Sequence, residues 1–239
     1  MTHYSNPGDT ESAIRPTVHL LLSTKIEGTK MAAKPTKHEL KTQETRSLLL
    51  RAAEEIFARD GYEKAELGEI ARLAGRTKGA IYAQFKSKED MFLALYEENS
   101  LRRRAIMAEF LAKSNSIGGN LAAFRKYFIE FATHDRWSSL MLDFRLYAVR
   151  NPKSRERLHK LYKSILPPNE EMAYSAILGP ATRGKRGISR TEAVHTAFAM
   201  LTALQLEAQF DSDVVTSEVL KKVAGRLFDM MFGTDPPTQ

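Results

Sequence analysis

The sequence predicts an all-α protein, with a three-helix unit near its N-terminus and a larger helical domain behind it. Three observations carry this expectation. Residues 42–62 form a single amphipathic stripe. Residues 66–88 read as two short helices joined by a tight glycine turn. Beyond Arg104, apolar side chains recur at helical spacing to the end of the chain, interrupted by proline- and glycine-containing stops.

Residues 1–35 show neither helical nor strand periodicity, and Asn6-Pro7-Gly8-Asp9 and Pro16 break the chain. Val18 to Leu22 is too short for the core of a signal peptide and has no basic flank before it. Met31 precedes Ala32-Ala33-Lys34 and is a plausible translation start, so residues 1–30 are expected to be a disordered tail or an upstream extension, within an N-terminal segment 1–35 that precedes the first domain. Lys34, Lys37, Lys41 and Arg46 then make a basic approach to the first helix. Two readings stay open for it: a solvated linker, or an arm that touches phosphates or a minor groove.

The first helix, Thr42 to Tyr62, carries Leu49, Leu50, Ala53, Ile56 and Phe57 as its stripe, and Gly61 stops it. In the second, Leu67, Ile70, Ala71 and Ala74 recur at i, i+3, i+4 and i+7. Gly75 supplies the backbone freedom that ends it. Thr77 caps the third helix, in which Ile81 and Phe85, four apart, face inward. Lys78, Ala80 and Gln84 lie outward, with Gly79 beside them, and nothing bulky blocks the approach of this face to a major groove. A fourth helix starts at Ser87, with Glu89 and Asp90 in its first turn, and runs to about Lys113.

Ala52-Ala53, Phe57, Asp60-Gly61-Tyr62, Glu69-Ile70-Ala71, Ala74-Gly75, Lys78-Gly79-Ala80-Ile81-Tyr82, Phe85, Ser87-Lys88 and Leu93 stand at the spacing of one known pattern. With them this stretch resembles the N-terminal DNA-binding domain of the TetR family of transcriptional repressors. The sequence departs from the family pattern at Glu66, Arg76, Ala83 and Gln84, and these positions concern which operator is read. The resemblance implies a helix-turn-helix domain over residues 36–88 and a helical ligand-binding and dimerisation domain over residues 89–235. It implies DNA contacts by Thr77, Lys78, Gly79 and Ala80 at the start of the recognition helix, and phosphate contacts by Tyr82 and Lys88. Lys41, Arg76 and Gln84 complete the expected DNA-binding set.

The later helices follow in order. Leu121 to His134 carries Phe124, Tyr127, Phe128 and Phe131 on one face, and Trp137 to Val149 carries Leu140, Met141, Phe144 and Tyr147. Pro152 opens a helix with Leu158, Leu161, Tyr162 and Ile165, and Pro167-Pro168 interrupts it. Glu170 to Leu178 is a further helical piece, followed by the basic loop 179–187. Two helices, Arg190 to Phe210 and Val214 to Phe232, close the chain with wide apolar faces. The resemblance implies that these two pair with their copies in a second subunit, against the alternative of a bundle within one chain. Phe124, Phe128, Trp137, Met141, Phe144, Tyr147 and Tyr174 are candidates for lining a ligand cavity, against the alternative of ordinary core. Trp137, Tyr147 and Tyr174 would offer hydrogen bonds to a ligand's polar end.

Composition bounds the function. The chain has 239 residues, 43% of them hydrophobic, enough for a real core. With no cysteine, disulfides and thiolate metal sites are excluded. No apolar run reaches the roughly 18 residues of a membrane span. The net charge of +7 is compatible with a nucleic-acid partner.

Two Glu-x-x-His pairs, Glu156/His159 and Glu192/His195, with Glu109 and Glu130, raise a di-iron bundle enzyme as an alternative. At roughly 100° per residue Glu156 and Glu192 point away from the apolar faces of their helices, where a buried metal pair would need them. No catalytic site, metal or cofactor is therefore expected. The expectation is a cytoplasmic, homodimeric transcriptional regulator that binds a palindromic double-stranded operator and is released by a small apolar or amphipathic effector. A non-sensing architectural DNA-binding protein is the other reading.

Overall fold

A computed structural model of the chain describes residues 36–133, 136–180 and 187–233. The N-terminal segment 1–35, with Met31 and Lys34 in it, and residues 181–186 of the basic loop lie outside the described residues. Among the described residues the regular structure is entirely helical: α1 (Lys37–Lys64), α2 (Leu67–Leu73), α3 (Lys78–Gln84), α4 (Lys88–Leu111), α5 (Ile117–Thr133), α6 (Arg136–Arg150), α7 (Pro152–Ile165), α8 (Glu170–Leu178), α9 (Arg190–Phe210) and α10 (Ser217–Phe232). None of these helices is long and apolar enough to cross a membrane.

The chain divides into two compact units. In the first, residues 36–103 pack with residues 136–165, so α1 to α3, most of α4, α6 and α7 share a core. Leu49, Ala53, Ile56, Phe57, Ile70, Ile81 and Phe92 are buried there together with Leu140, Phe144 and Ile165. The second unit takes residues 104–133, 166–180 and 187–233, and its core joins Phe124 and Phe128 of α5 to Leu201 of α9 and Phe228 and Phe232 of α10.

This division departs from the expected boundary at residue 88. Residues 136–165 belong with the N-terminal helices because their aromatic and polar side chains are committed there. Phe144 stacks on Phe92 with ring centroids 4.0 Å apart and meets Tyr62 edge-on at 4.7 Å. Ser154 donates to Glu89 at 2.8 Å, and the Arg157 guanidinium binds both Glu89 and Asp90.

In the second unit, Arg125 of α5 grips Asp229 of α10 through two hydrogen bonds of 2.7 and 2.9 Å. Side chains meet the carbonyls at the C-terminal end of α8. Asn120 donates to Ile177 O at 2.9 Å, and the buried Arg190 donates to Gly179 O at 2.8 Å and Pro180 O at 3.1 Å.

Three helix starts differ from expectation by three residues or more. α1 begins at Lys37 rather than Thr42, so Lys37 and Lys41 of the expected arm are helical. Thr36 and Glu39 form a capping box: Glu39 N donates to Thr36 Oγ1 at 3.2 Å, and Thr36 N donates to Glu39 Oε2 at 2.7 Å. α5 starts at Ile117 rather than Leu121. α10 starts at Ser217 rather than Val214, with Thr216 Oγ1 accepting from Val219 N. Gly61 breaks α1 as expected, with φ 79° and ψ 163°, and one short further turn follows it.

Candidate nucleic-acid interface

The interface is built from α2 and α3. α2 ends in a turn in which Gly75 has φ +63°, and Arg76 N reaches back to Ala71 O at 2.8 Å. The chain then emerges extended at Thr77, whose Oγ1 accepts from Ala80 N at 3.3 Å and starts α3. Ile81 and Phe85 are buried and seat α3 on α1 and α2. The opposite side of α3 is left to solvent: Thr77, Lys78 and Gly79 are exposed, Tyr82 is 60% exposed, and Ala80 and Gln84 are half-buried at its edge. The group thus lies along one side of α3, with Ala80 and Gln84 at its edge.

Arg76 is half-buried, and its guanidinium donates to Gly75 O at 3.1 Å, closing the turn. Lys41 is exposed on α1, more than a full turn after the cap. Arg46, expected only in the basic approach to the first helix, holds its guanidinium 4.6 Å above the ring of Phe85, the residue that ends α3. That stacking fixes a positive charge beside the recognition helix. Its signal in the sequence was weak, because a cation–π pair between residues 39 apart leaves no periodic trace.

The Lys88 ammonium donates to Glu63 O at 2.8 Å and to Ala65 O at 3.2 Å, and lies 5.0 Å from the centre of the Tyr62 ring. Burial pushes its pKa down. A lysine engaged with the last carbonyls of a helix serves that helix end, and this is the ammonium for which the resemblance implies a phosphate contact.

The seven candidate pocket residues divide between the cores of the two units. Trp137, Met141 and Phe144 are buried in the core of the first unit, with Tyr147 packed against it. Phe124 and Phe128 are buried in the core of the second, with Tyr174 against it. A groove of about 300 Å³ in the first unit is lined by Arg51, Glu54, Glu55, Ala58, Trp137 and Leu140, and so includes one of the seven. The helical stripe identified a buried face in each case but not the partner of that face. In the second unit, burial and the nearby Glu170 push the Tyr174 hydroxyl up to about 12, so it is a neutral donor at ordinary pH.

Glu156, Glu192 and His195 of the two Glu-x-x-His pairs are engaged with other partners. Glu156 pairs with Lys160 at 2.6 Å, Glu192 closes a capping box with Ser189, and His195 Nε2 lies 2.5 Å from Glu170 Oε2.

Residues 49–95 match the model of the bacterial regulatory proteins of the tetR family. The chain is 41% identical over 81 residues to the HTH-type transcriptional regulator AcrR of Shigella flexneri, covering 34% of this chain and 37% of that one. It is 30% identical over 112 residues to the HTH-type transcriptional repressor AcnR of Corynebacterium diphtheriae, covering 47% of this chain and 54% of that one. The chain thus spans about a third to a half of the length of these curated relatives. Its fold is similar to FadR of Bacillus subtilis, solved in complex with stearoyl-CoA, at TM-score 0.57 and 20% identity, covering 78% of this chain and 97% of that one. It is also similar to a TetR-family regulator from Rhodococcus sp., at TM-score 0.62 and 18% identity, covering 80% and 99%. Over residues 49–95, its N-terminal helices are therefore similar to the tetR family of bacterial regulatory proteins.

Proposed function

We propose that this protein is a ligand-responsive DNA-binding transcriptional regulator, acting as a homodimeric repressor on a palindromic operator. The observation that carries the reading is the exposed face of α3. Thr77, Lys78, Gly79 and Tyr82 stand free on a helix anchored from behind by Ile81 and Phe85, inside the stretch matched by the tetR family. The Cβ of an alanine at position 79 would meet only Thr77 Oγ1 at 3.6 Å, so the helix presents no obstacle to a groove wall there.

Pairing of two copies is supported by α9 and α10. Met200 and Phe210 on one helix and Val219, Val223 and Met230 on the other are exposed apolar side chains. Val219, Val223 and Met230 share one face of α10 by their spacing. Two recognition helices in a symmetric dimer would meet half-sites about 34–36 Å apart.

The effector is a small apolar or amphipathic molecule taken up among the aromatic side chains of the second unit, where Phe124, Phe128 and Tyr174 lie with Tyr127 and Phe198. The stearoyl-CoA bound to FadR, a protein of similar fold, supports that chemistry. Met107 and Phe110 near the end of α4 pack against the same core, so a ligand there would move the helix that starts beside the recognition unit at Lys88. Release needs a ligand that prefers the DNA-incompetent arrangement by about 2–3 kcal/mol.

Selection from a random-sequence duplex library, followed by mobility-shift titration against salt, tests the reading. The expected result is a palindromic site, bound with an affinity that falls steeply with salt. Failure to enrich any duplex would overturn it. Compounds that raise the melting temperature should also weaken operator binding, by reciprocity. Stabilising compounds that leave DNA affinity unchanged would remove the switch.

A further inference from the structure

Gly68 sits in the first turn of α2, half-buried, in a helix of seven residues. Its backbone does not call for glycine: the positive-φ glycines of the described residues are Gly61, Gly75, Gly179, Gly187 and Gly233. A glycine inside a helix is less stable than alanine there, so the missing side chain needs another reason. A Cβ at residue 68 would lie 2.5 Å from Cε of Lys78, 3.1 Å from its Nζ and 3.9 Å from its Cδ. The far half of the Lys78 side chain therefore occupies the space that any other residue's side chain would take. Lys78 is the first residue of α3 and is exposed, and among the described residues its ammonium makes no hydrogen bond or ion pair. The seat over Gly68 is thus what localises its charge.

We propose that Gly68 is a positioning residue for DNA recognition: it opens a lane across the first turn of α2 that holds the Lys78 side chain in one arrangement before DNA arrives. The inference rests on the reading of the α3 face as the DNA-binding surface. A lysine stem is rich in rotamers, and ordering it on binding weakens association unless the ordering is already made. A side chain at residue 68 would displace only the flexible end of Lys78, so the packing of α2 on α3 survives while the position of the ammonium changes. Neither residue marks the other in the sequence, because they lie on different helices across the turn.

The test uses the full chain and a duplex selected by the wild-type protein from a random-sequence library. Gly68→Ala, Lys78→Ala and the double variant are compared by mobility-shift titration and thermal melting. Gly68→Ala is expected to bind about two- to tenfold more weakly, the range that follows from ordering one long side chain. Its melting temperature should be equal to or above that of the wild type. In the Lys78→Ala background, Gly68→Ala should have no further effect on DNA affinity. In the free protein, a nuclear Overhauser contact should join the Lys78 ε-protons to the Gly68 α-protons.

The inference alone is overturned if Lys78→Ala weakens binding while Gly68→Ala matches wild type. It is also overturned if Gly68→Ala weakens the Lys78→Ala protein equally, if it lowers the melting temperature, or if the Overhauser contact is missing. If the wild-type chain selects no duplex at all, the DNA reading falls, and this inference falls with it.

Discussion

The ammonium of Lys88, at the start of α4, donates to the carbonyl of Glu63 at 2.8 Å, near the end of α1. It also reaches Ala65 O, and the aromatic face of Tyr62 lies 5.0 Å away. One side chain thus ties the last turn of α1 to the helix that follows the recognition unit, meeting carbonyls that the helix itself leaves unpaired.

Lys88→Ala should therefore act on stability. Loss of these charge-assisted bonds is expected to cost about 1–2 kcal/mol in denaturant unfolding. The salt dependence of DNA binding should keep its slope, whereas loss of a true phosphate contact flattens it by about one. A flattened slope with unchanged stability would return Lys88 to the phosphates.

Gly61 and Asp143 form a second tie in the same unit. Gly61 has φ 79° and ψ 163°, a region open essentially to glycine, and the Asp143 carboxylate accepts from Tyr62 N at 2.5 Å. A Cβ at residue 61 would lie 3.2 Å from Asp143 Oδ2. Gly61→Ala should destabilise by about 1–3 kcal/mol, and Asp143→Ala by a similar amount through the lost acceptor. Because both substitutions disturb one junction, the double variant should lose less than their sum. Strict additivity in urea unfolding would contradict this coupling.

Dimerisation has to be probed on exposed positions. Leu201 is fully buried and Leu220 is 6% exposed, so a glutamate at either unfolds the second unit whatever the oligomeric state. Met200 and Val223 are 45% and 36% exposed. Met200→Glu combined with Val223→Glu should give folded monomers in sedimentation, with wild-type helicity. A variant that remains dimeric would move the interface elsewhere.

Glu171 gives a pH prediction. It accepts from Thr191 N at 2.8 Å, from Arg190 N at 3.2 Å and from Ser175 Oγ at 3.2 Å. The backbone hydrogen bond from Thr191 is the main cause that holds its carboxyl below the ordinary value of 4.5. The folded pKa is depressed, so this stabilisation is complete above pH 4.5 and is lost as the pH falls through the depressed value. Glu171→Gln should lower the melting temperature at neutral pH and flatten its decline below pH 4.5. An acid limb as steep as that of the wild type would exclude Glu171 as a contributor.

The sequence by itself determined which segments are helical, where Gly61 and Gly75 turn the chain, and which face of α3 is outward. These are local properties: the apolar stripe, the cap and the glycine act over a few residues, and the chain carries them wherever it packs. The longer α1 belonged to the same class, since Thr36 and Glu39 stand at capping-box spacing. Partnership across the fold was decided only by tertiary packing. Phe124 and Phe144 look alike on their stripes, yet Phe124 meets Phe228 and Phe232 in one core while Phe144 stacks on Phe92 in another. Lys78 and Lys88 are both lysines near the recognition helix, yet one lies over the empty side of Gly68 while the other is drawn to the carbonyls of Glu63 and Ala65. Periodicity says that a face is buried or free. What that face meets depends on how distant helices cross, and a helical repeat contains no term for that.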